Sequence, residues 1–510
     1  MKKKLFDNKF VNFTHLSLIA ISVALSSCGG GGGGGSALTP ITPITPSTFP
    51  LSSTLVNLCA NPRTGTDPFN QNQSYPDQQG TLANEKSWLR SWIDETYLWY
   101  QEVPNNLNPA SYPTAIDYFN VLKTPAMTVT NRPKDKFHFT YPTDTWNALN
   151  QGIELGYGIQ FAALAQTIPR RWVAVVVEPN SPAAIAGILR GDEVAFVDGV
   201  DFINANDQAS VNTLNAGLYP TIAGQTHQII FKRNGINLPV ANMAASNVTT
   251  APVQNVKTIA TATGNVGYLT FNSHNAVSEA QLIAAITQLQ SAGVSDLVLD
   301  LRYNGGGLIA VASELAYMIA GPQTTNGKIF ERLQFNNKIA SNTAFPFYSN
   351  SLGFSGPSNT PLPYLGLQQV TILTGAGTCS ASESIINGLQ GVNVKVNLIG
   401  GTTCGKPYGF VPEPNCGTTY FAIQFQGVNQ KNFGDYPDGF TPTCPVADDF
   451  TRQLGDPLEG QLSAALNYRA TGICAAPIAA SAGLKAGGAT DQVQLIRSRM
   501  KEMRIFTKPL

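Results

Sequence analysis

The clearest alternation of apolar and polar positions lies between residues 265 and 320. Two short apolar runs, residues 266–271 and 296–301, predict buried strands. Residues 279–289 between them have the apolar repeat of an amphipathic helix, and a second helical repeat, 308–320, follows the glycine run 305–307. Parallel strands need a crossover connection of about this length. The pattern therefore predicts a βαβ unit with a glycine-rich turn at the carboxyl end of its second strand.

A second strand-to-helix pattern begins at residue 370. The apolar run 370–373 leads through Gly-Ala-Gly to Ser380, and a helical repeat with one apolar face follows. Ser380 is thus predicted at a helix N-terminus, where unpaired backbone N–H groups can stabilise an oxyanion. Lys406 comes after one more strand-like run, 392–399, and this layout can return an ammonium group to the serine hydroxyl.

Each of these features also has a simpler interpretation. Ser380-x-x-Glu383 before an apolar run is a capping box, and a single lysine is commonly a solvated surface residue. Cys379 is a rival nucleophile, which oxidation in an exported protein would disfavour. The glycine run 305–307 could bind phosphate, but its spacing is not G-x-G-x-x-G and no P-loop lysine follows it.

The segments before residue 250 have different patterns. Residues 54–150 predict a small helical domain, because Trp88, Trp92 and their neighbours form an aromatic stripe at helical spacing. Residues 151–245 change to short strands. Ser181-Pro182 is a helix start, and Asp198-Gly199 is a hairpin turn signal.

The first 53 residues are predicted to lie outside the fold. Residues 1–27 have a basic start and a short apolar core, typical of a signal peptide. The sequence that ends at Cys28 resembles a bacterial lipobox, which implies a lipid on Cys28; an ordinary secretion signal is the alternative. Residues 28–53, with seven consecutive glycines and a Pro/Thr/Ser stretch, predict a flexible tether.

Composition limits the remaining choices. Lys plus Arg and Asp plus Glu both number 32, so the net charge is zero and a nucleic-acid binder is disfavoured. Setting aside Cys28 leaves six of the seven cysteines, which in an oxidising envelope predicts disulfides. A Cys379–Cys404 bridge beside Ser380 and Lys406 is one such prediction. No CxxC pair occurs and the four histidines are scattered, so no metal site is predicted.

Four motifs occur in an order that resembles the carboxy-terminal processing peptidases, also called tail-specific proteases: GYLTF, LVLDLRYNGGG, the SASE block at Ser380 and the Gly405-Lys406 block. The resemblance covers roughly residues 150–470. It implies an α/β catalytic core of the crotonase type, residues 246–475, with a parallel or mixed sheet. It also implies Ser380 as nucleophile, Lys406 as general base, and the N–H groups of Gly306 and Ala381 as the oxyanion hole.

The chemistry that the resemblance implies needs no cofactor. A serine hydroxyl attacks poorly unless a base takes its proton, and a lysine is a base only when it is neutral. Burial can lower a lysine pKa by roughly 3–5 units. One departure is Phe410, which stands where many family members have a glutamine that orients the lysine. Glu383 is a candidate substitute. His274 is a candidate for a serine-histidine variant, although a surface loop is its expected place.

Residues 151–245 resemble a PDZ domain through the stretch 181–192, SPAAIAGILRGD. That resemblance implies a groove in which a peptide adds to a sheet edge, with its carboxylate held by the loop of Gly156, Tyr157, Gly158 and Ile159. A PDZ-shaped spacer without peptide affinity is the alternative. Residues 476–510 end in a basic amphipathic stretch, which we expect to be a peripheral helix or a disordered end.

Two hypotheses follow from the sequence. In the first, the chain is an envelope serine endopeptidase, anchored through the lipid on Cys28 and facing the periplasm or the surface. It would cleave proteins with accessible C-termini or unfolded segments. In the second, it is an inactive relative that binds peptides or apolar ligands. The sequence leaves the oligomeric state open.

Overall fold

The structure, a computed structural model, describes residues 49–340, 344–475 and 494–496. The predicted signal peptide and Cys28 lie outside the described residues, as does most of the stretch 476–510. Within the described ranges, no helix combines the length and the apolar character that a membrane crossing requires.

The first segment is mainly helical, as its aromatic stripe predicts. Its elements are β1 Leu58–Cys59, β2 Thr66–Asp67, β3 Gln73–Ser74, β4 Gln78–Gln79, α1 Leu82–Thr96, α2 Ala115–Val121, β5 Phe139–Pro142 and α3 Thr143–Asn150. Three short 3-10 helices accompany them, Ser52–Thr54, Tyr100–Glu102 and Pro109–Ser111. Thr81 caps α1, because its hydroxyl accepts the Asn84 N–H at 3.2 Å.

A β-rich segment follows. Its elements are β6 Ile153–Gly156, β7 Ile159–Ala165, β8 Arg171–Val177, α4 Pro182–Ile185, β9 Glu193–Val197, β10 Val200–Asp201, α5 Gln208–Leu218, β11 Thr226–Arg233, β12 Ile236–Asn237, β13 Ala241–Ala244 and β14 Ser246–Thr249. Two local predictions are confirmed. The Ser181 hydroxyl caps α4 by accepting the Ala184 N–H, and Asp198-Gly199, both with positive φ, connects antiparallel β9 and β10.

The third segment carries the α/β core. Its elements are β15 Val253–Thr261, β16 Gly264–Phe271, α6 Ser278–Ser291, β17 Asp296–Asp300, α7 Ile309–Ala320, α8 Pro322–Thr325, β18 Ile329–Phe335, β19 Ala344–Pro346, β20 Gln369–Thr374, α9 Ala381–Gly391, β21 Lys395–Gly400, β22 Tyr408–Gly409, β23 Glu413–Asn415, β24 Thr418–Phe421, β25 Phe425–Val428, β26 Cys444–Pro445 and α10 Gly460–Thr471. A last short strand is β27 Gln494–Ile496.

Six strands form the central sheet in the order β15-β16-β17-β20-β21-β26. β15 is antiparallel to β16, and every other pairing in this sheet is parallel, including the predicted βαβ pair β16 and β17. Every residue of β17, and every residue of β20 except the first, is buried, as expected for parallel strands covered on both faces. The mixed sheet confirms the predicted α/β core.

The first segment packs on the third. β5 pairs with β24, and the Cys59–Cys416 disulfide joins the two segments covalently. The stripe of Trp88, Trp92 and Phe119 is buried together with Tyr420. The N-terminal helices therefore cover the part of the chain that follows Lys406.

A buried ionic network joins the β-rich segment to the core. The Arg190 guanidinium contacts Asp448 at 2.6 Å and also the Tyr303 hydroxyl. Arg302 contacts Asp448 at 2.9 Å and forms a two-bond pair with Glu459. Arg302 and Tyr303 immediately precede the glycine-rich turn, so the network fixes the start of that turn.

Candidate active site

Ser380 lies at the turn between β20 and α9, as the sequence predicts. Its backbone has φ +56° and ψ −118°, a combination that non-glycine residues rarely adopt. Strain of this kind costs of order 1–3 kcal/mol and persists only where the surroundings impose it. Ala381, the first residue of α9, has no carbonyl of its own helix to which its N–H can donate. That N–H lies beside the serine side chain.

Lys406 lies between β21 and β22 and is buried, with 6% of its surface exposed. Its Nζ lies 3.9 Å from the ring centroid of Phe410 and 5.0 Å from that of Phe137. Phe410, at the position where a glutamine was expected, therefore places an aromatic ring against the amine. Phe137 comes from the N-terminal segment, so that segment completes the surroundings of the lysine.

Glu383 connects the backbones of the two candidate catalytic residues. Its Oε2 accepts the Ser380 N–H at 3.0 Å and the Lys406 N–H at 2.8 Å. Because both N–H groups bond to one oxygen, the distance between the two backbone nitrogens cannot exceed the sum of these two N···O distances. The Ser380 contact is the glutamate half of the predicted capping box. Glu383 holds the backbone N–H of Lys406 and so positions the lysine segment. Its expected role in orienting the amine stays a prediction.

The other oxygen of Glu383 is equally occupied. Oε1 accepts the Gly405 N–H at 2.8 Å and the Thr403 hydroxyl at 2.5 Å. Thr403 can donate that proton because its oxygen accepts the Phe440 N–H. Burial raises the pKa of the Glu383 carboxyl above its usual value, and the four donors oppose that rise. Four donors around one buried carboxylate fix the geometry of both segments.

The predicted Cys379–Cys404 disulfide is confirmed, and Cys444–Cys474 is the third bridge. The Cys404 N–H also donates to the Thr378 carbonyl at 3.0 Å. Cys379, Glu383 and Cys404 are the only cluster of candidate metal ligands within the described ranges. Since the two sulfurs are bonded to each other, they are not available as thiolates. The disulfide instead links the nucleophile turn covalently to the lysine segment.

Gly306 lies against the nucleophile. Its φ is +94°, and a Cβ at this position would lie 2.8 Å from Ser380 Cβ and 2.9 Å from the Ala381 nitrogen. Only glycine permits this approach. The Gly306 N–H donates to Asn304 Oδ1 at 2.9 Å, so the predicted oxyanion donor has an internal partner in this structure. An oxyanion would have to share or replace that hydrogen bond.

Asn304 was not singled out from the sequence. Its Nδ2 donates to the Phe271 carbonyl at 2.8 Å, which leaves Oδ1 to face Gly306 and His274. Its carbonyl accepts the Cys379 N–H and the Ser382 hydroxyl. The fully buried Asn304 thus joins β16 and the glycine turn through its side chain, and the nucleophile turn through its backbone carbonyl. An asparagine directly before a glycine run is the signal that could have indicated this role.

His274 is not on a surface loop, as the sequence suggested, but 1% exposed. Its Nδ1 lies 3.0 Å from Asn304 Oδ1. Burial lowers the pKa of its imidazole to about 3, so the ring is neutral near pH 7. Since Asn304 Oδ1 is an acceptor, the proton of the neutral ring is on Nδ1. His274 therefore supports the glycine turn.

A cavity of about 990 Å³ runs along one side of the site. Ser380, Lys406 and Gly306 are among the residues that line it. Gly156, Tyr157, Gly158 and Ile159, predicted to hold a peptide carboxylate, line the same cavity from the β-rich segment. The structure thus brings the two groups of predicted site residues to one continuous space.

The loop Gly156–Ile159 presents its backbone to this space. The Tyr157 ring is buried, and its hydroxyl donates to the Gly217 carbonyl at 2.9 Å. The Tyr157 carbonyl accepts the Ala183 N–H, and the Gly158 carbonyl accepts the Glu178 N–H. Gly158 has φ +73°, and a Cβ there would lie 2.4 Å from Ser181 Cβ. Two carbonyls of the loop, those of Tyr157 and Gly158, are thereby hydrogen-bonded within the protein.

Sequence profiles of two related domains match the chain. The profile of peptidase family S41 matches residues 265–426, and that of the peptidase S41 N-terminal domain matches residues 84–141. A carboxyl-terminal-processing protease of a Picosynechococcus species is 28% identical over 238 residues, 45% of this chain and 49% of the relative. A chloroplastic C-terminal processing peptidase of Tetradesmus obliquus is 29% identical over 247 residues, 46% of this chain and 47% of the relative. The chain spans about half the length of these relatives.

The fold has a solved counterpart. A crystal structure of a Bacteroides fragilis protein assigned to the S41 proteases superposes with a TM-score of 0.59 at 23% identity. It covers 79% of this chain and 99% of its own chain. The superposition supports the mixed α/β fold described above. The chain is thus similar to peptidase family S41 over residues 265–426 and 84–141, and to carboxyl-terminal-processing proteases over about half of their length.

Proposed function

We propose that the chain is a serine endopeptidase in which Ser380 is the nucleophile and Lys406 the general base. The observation that carries this proposal is the geometry at Glu383: one carboxylate oxygen accepts the backbone N–H of both residues. Ser380 and Lys406 also line the same cavity. The buried amine faces aromatic rings, which is a surrounding that a solvated surface lysine would not have.

In the proposed reaction, the Lys406 amine takes the Ser380 hydroxyl proton as Oγ attacks the scissile carbonyl. The Ala381 N–H, and the Gly306 N–H after release from Asn304, stabilise the oxyanion; each such donor is worth roughly 3–4 kcal/mol. The Lys406 ammonium then protonates the leaving amine. Water hydrolyses the acyl-enzyme with the lysine again as base.

The proposed substrates are proteins with accessible C-termini or unfolded tails. The loop Gly156–Ile159 would bind the terminal carboxylate through backbone N–H groups, in the manner of a PDZ domain. The shared cavity supports this assignment, because a bound peptide would extend from that loop toward Ser380. A lipid on Cys28 would attach the enzyme to a membrane of the cell envelope. Incorporation of labelled palmitate, lost in Cys28→Ala, tests that attachment.

The dyad is tested by hydrolysis of an unfolded protein substrate. Ser380→Ala and Lys406→Ala should each lower the rate at least about 10³-fold, because both groups act in one proton transfer. Ser291→Ala and Lys395→Ala are matched controls, since both side chains are exposed and neither lines the cavity. Equal rates in either test variant and in the native chain would refute the dyad. A native chain that binds peptide but cleaves none would support the binding-protein alternative.

A further inference from the structure

The short strand β27 extends the sheet of the β-rich segment. The strand order there is β12-β11-β9-β8-β7-β27, so β7 would be an edge strand without it. β27 is antiparallel to β7, with Gln494 opposite Ala163, Leu495 opposite Ala162 and Ile496 opposite Phe161. The sequence suggested a peripheral helix or a disordered end here, and the strand corrects that expectation for residues 494–496.

The two apolar side chains of β27 face different parts of the molecule, as alternation along a strand requires. Ile496 is 6% exposed and packs in the cluster of the β-rich segment that contains Tyr157, Phe161 and Leu218. Leu495 packs on the opposite side with Tyr303 and Phe450. β27 therefore fills an aliphatic site on each side of the sheet edge.

β27 also contacts the active site. A Cβ on Gly377, three residues before Ser380, would lie 2.3 Å from Leu495 Cδ1. Ile496 lines the cavity that Ser380 and Lys406 line. The chain direction of β27 is from Ala163 toward Phe161, and thus toward the loop Gly156–Ile159. A peptide that docks in this register and ends two residues after the Ile496 position has its carboxylate opposite Ile159.

We propose that the edge of β7 is a strand-addition site for extended peptides with two consecutive aliphatic residues, and that Gln494–Ile496 is its built-in occupant. A substrate must displace this strand to bind. Sheet hydrogen bonds and the two side-chain sites supply the affinity, and the chain's own strand competes because its tethering gives it a high effective concentration. This inference rests on the proposed function, in which the loop Gly156–Ile159 captures a peptide. It adds the segment of the chain that competes with the peptide and the two aliphatic side chains that the peptide should carry.

The test measures binding of a fluorescent peptide with the sequence of residues 491–498 and a free carboxylate. All proteins carry Ser380→Ala, so the result is independent of hydrolysis. Ile496→Asp should release β27, because a buried carboxylate replaces an apolar side chain. Anisotropy should then show peptide binding at least about tenfold tighter than in the parent, since apparent affinity scales with the unoccupied fraction. Leu495→Asp provides an independent release of the strand.

Gln494→Ala is the matched control, because that side chain is exposed and the backbone pairing remains; it should bind as the parent does. Hydrogen exchange of the parent should show protection of those amides at 161–163 that point toward β27, and these should become fast in Ile496→Asp while the amides paired with β8 stay protected. Fast exchange in the parent, or equal peptide affinity in the parent and both aspartate variants, overturns the proposal. If an amidated peptide binds as well as the free acid, the proposed carboxylate site at the loop Gly156–Ile159 is wrong, but competition by β27 is not affected. The two proposals can therefore fail separately.

Discussion

The Glu383 carboxylate should determine whether Ser380 and Lys406 stay in register. Glu383→Gln keeps the shape of the side chain but replaces one acceptor oxygen with an NH₂ donor. Four donors converge on the two oxygens, two on each. Whichever way the amide lies, two donors lose their acceptor in a buried site.

Each orphaned buried donor costs roughly 1–3 kcal/mol, so the variant should lose about 2–6 kcal/mol of unfolding free energy. This range is a large share of the stability of an ordinary domain, which is about 5–15 kcal/mol. Urea unfolding followed by fluorescence measures it, provided that the slope against urea concentration is unchanged. The rate of peptide hydrolysis should fall at least about tenfold even where the variant is folded, because the two backbones are no longer held together.

Glu331→Gln is the matched control. Glu331 is also buried and accepts the Ser384 hydroxyl of α9 at 3.1 Å. Burial raises the pKa of its carboxyl to about 7, so it is largely neutral below pH 7 and an amide is a close substitute. At pH 6 it should lose less than about 1 kcal/mol. If Glu383→Gln matches this control in stability and in hydrolysis rate, our account of Glu383 is wrong.

Three further predictions concern single residues. Phe410→Leu should lower kcat about 5- to 30-fold with KM changed less than twofold, because a desolvated cation–π contact stabilises the ammonium formed in the transition state by about 1–2 kcal/mol. Phe354→Leu, at an exposed site, is the control and should leave kcat unchanged. An unchanged kcat in Phe410→Leu as well would show that the ring does not act on the lysine. In urea unfolding, Ser380→Gly should have a free energy of unfolding about 1 kcal/mol higher than that of Ser380→Ala, because glycine accepts φ +56° without strain. Equal free energies in the two variants would mean that the turn is unstrained in solution. Glu314 is buried beside Glu279, and burial raises the pKa of its carboxyl to about 8. The folded state therefore binds the proton more tightly than the unfolded chain does. The free energy of unfolding should fall as pH rises from about 4.5 to 8, by at most roughly 4–5 kcal/mol. Glu314→Gln should flatten that fall in urea titrations at several pH values, and an unchanged slope would exclude Glu314 as its source.

Periodicity predicted the parallel core well. Strands β16, β17 and β20 each contain a short apolar run and are almost entirely buried, as expected for parallel strands covered on both faces. The position of Ser380 followed from the same logic, since a strand, a glycine turn and a helical repeat leave only one place for it. The Cys379–Cys404 bridge was predicted because both cysteines flank the two candidate residues.

Contacts between distant segments were not predictable from local patterns. The sequence indicates Glu383 as a helix cap or as a residue that orients the lysine. Its bonds to the Gly405 and Lys406 backbones depend on a turn that only the tertiary fold places nearby. His274 has no periodic pattern around it, so its burial against Asn304 was missed. β27 is too short for any repeat, and it is a strand because β7 offers an open edge.

The most direct test of the central claim is the site and rate of phosphonylation by a fluorophosphonate probe. In the native chain, peptide mapping by mass spectrometry should find the phosphonyl group on Ser380. The labelling rate should fall at least about 100-fold in Lys406→Ala, because no base then takes the hydroxyl proton. It should remain unchanged in Lys395→Ala. A label on another residue, or equal labelling of Ser380 in Lys406→Ala, would contradict the assignment of Ser380 and Lys406 as nucleophile and base.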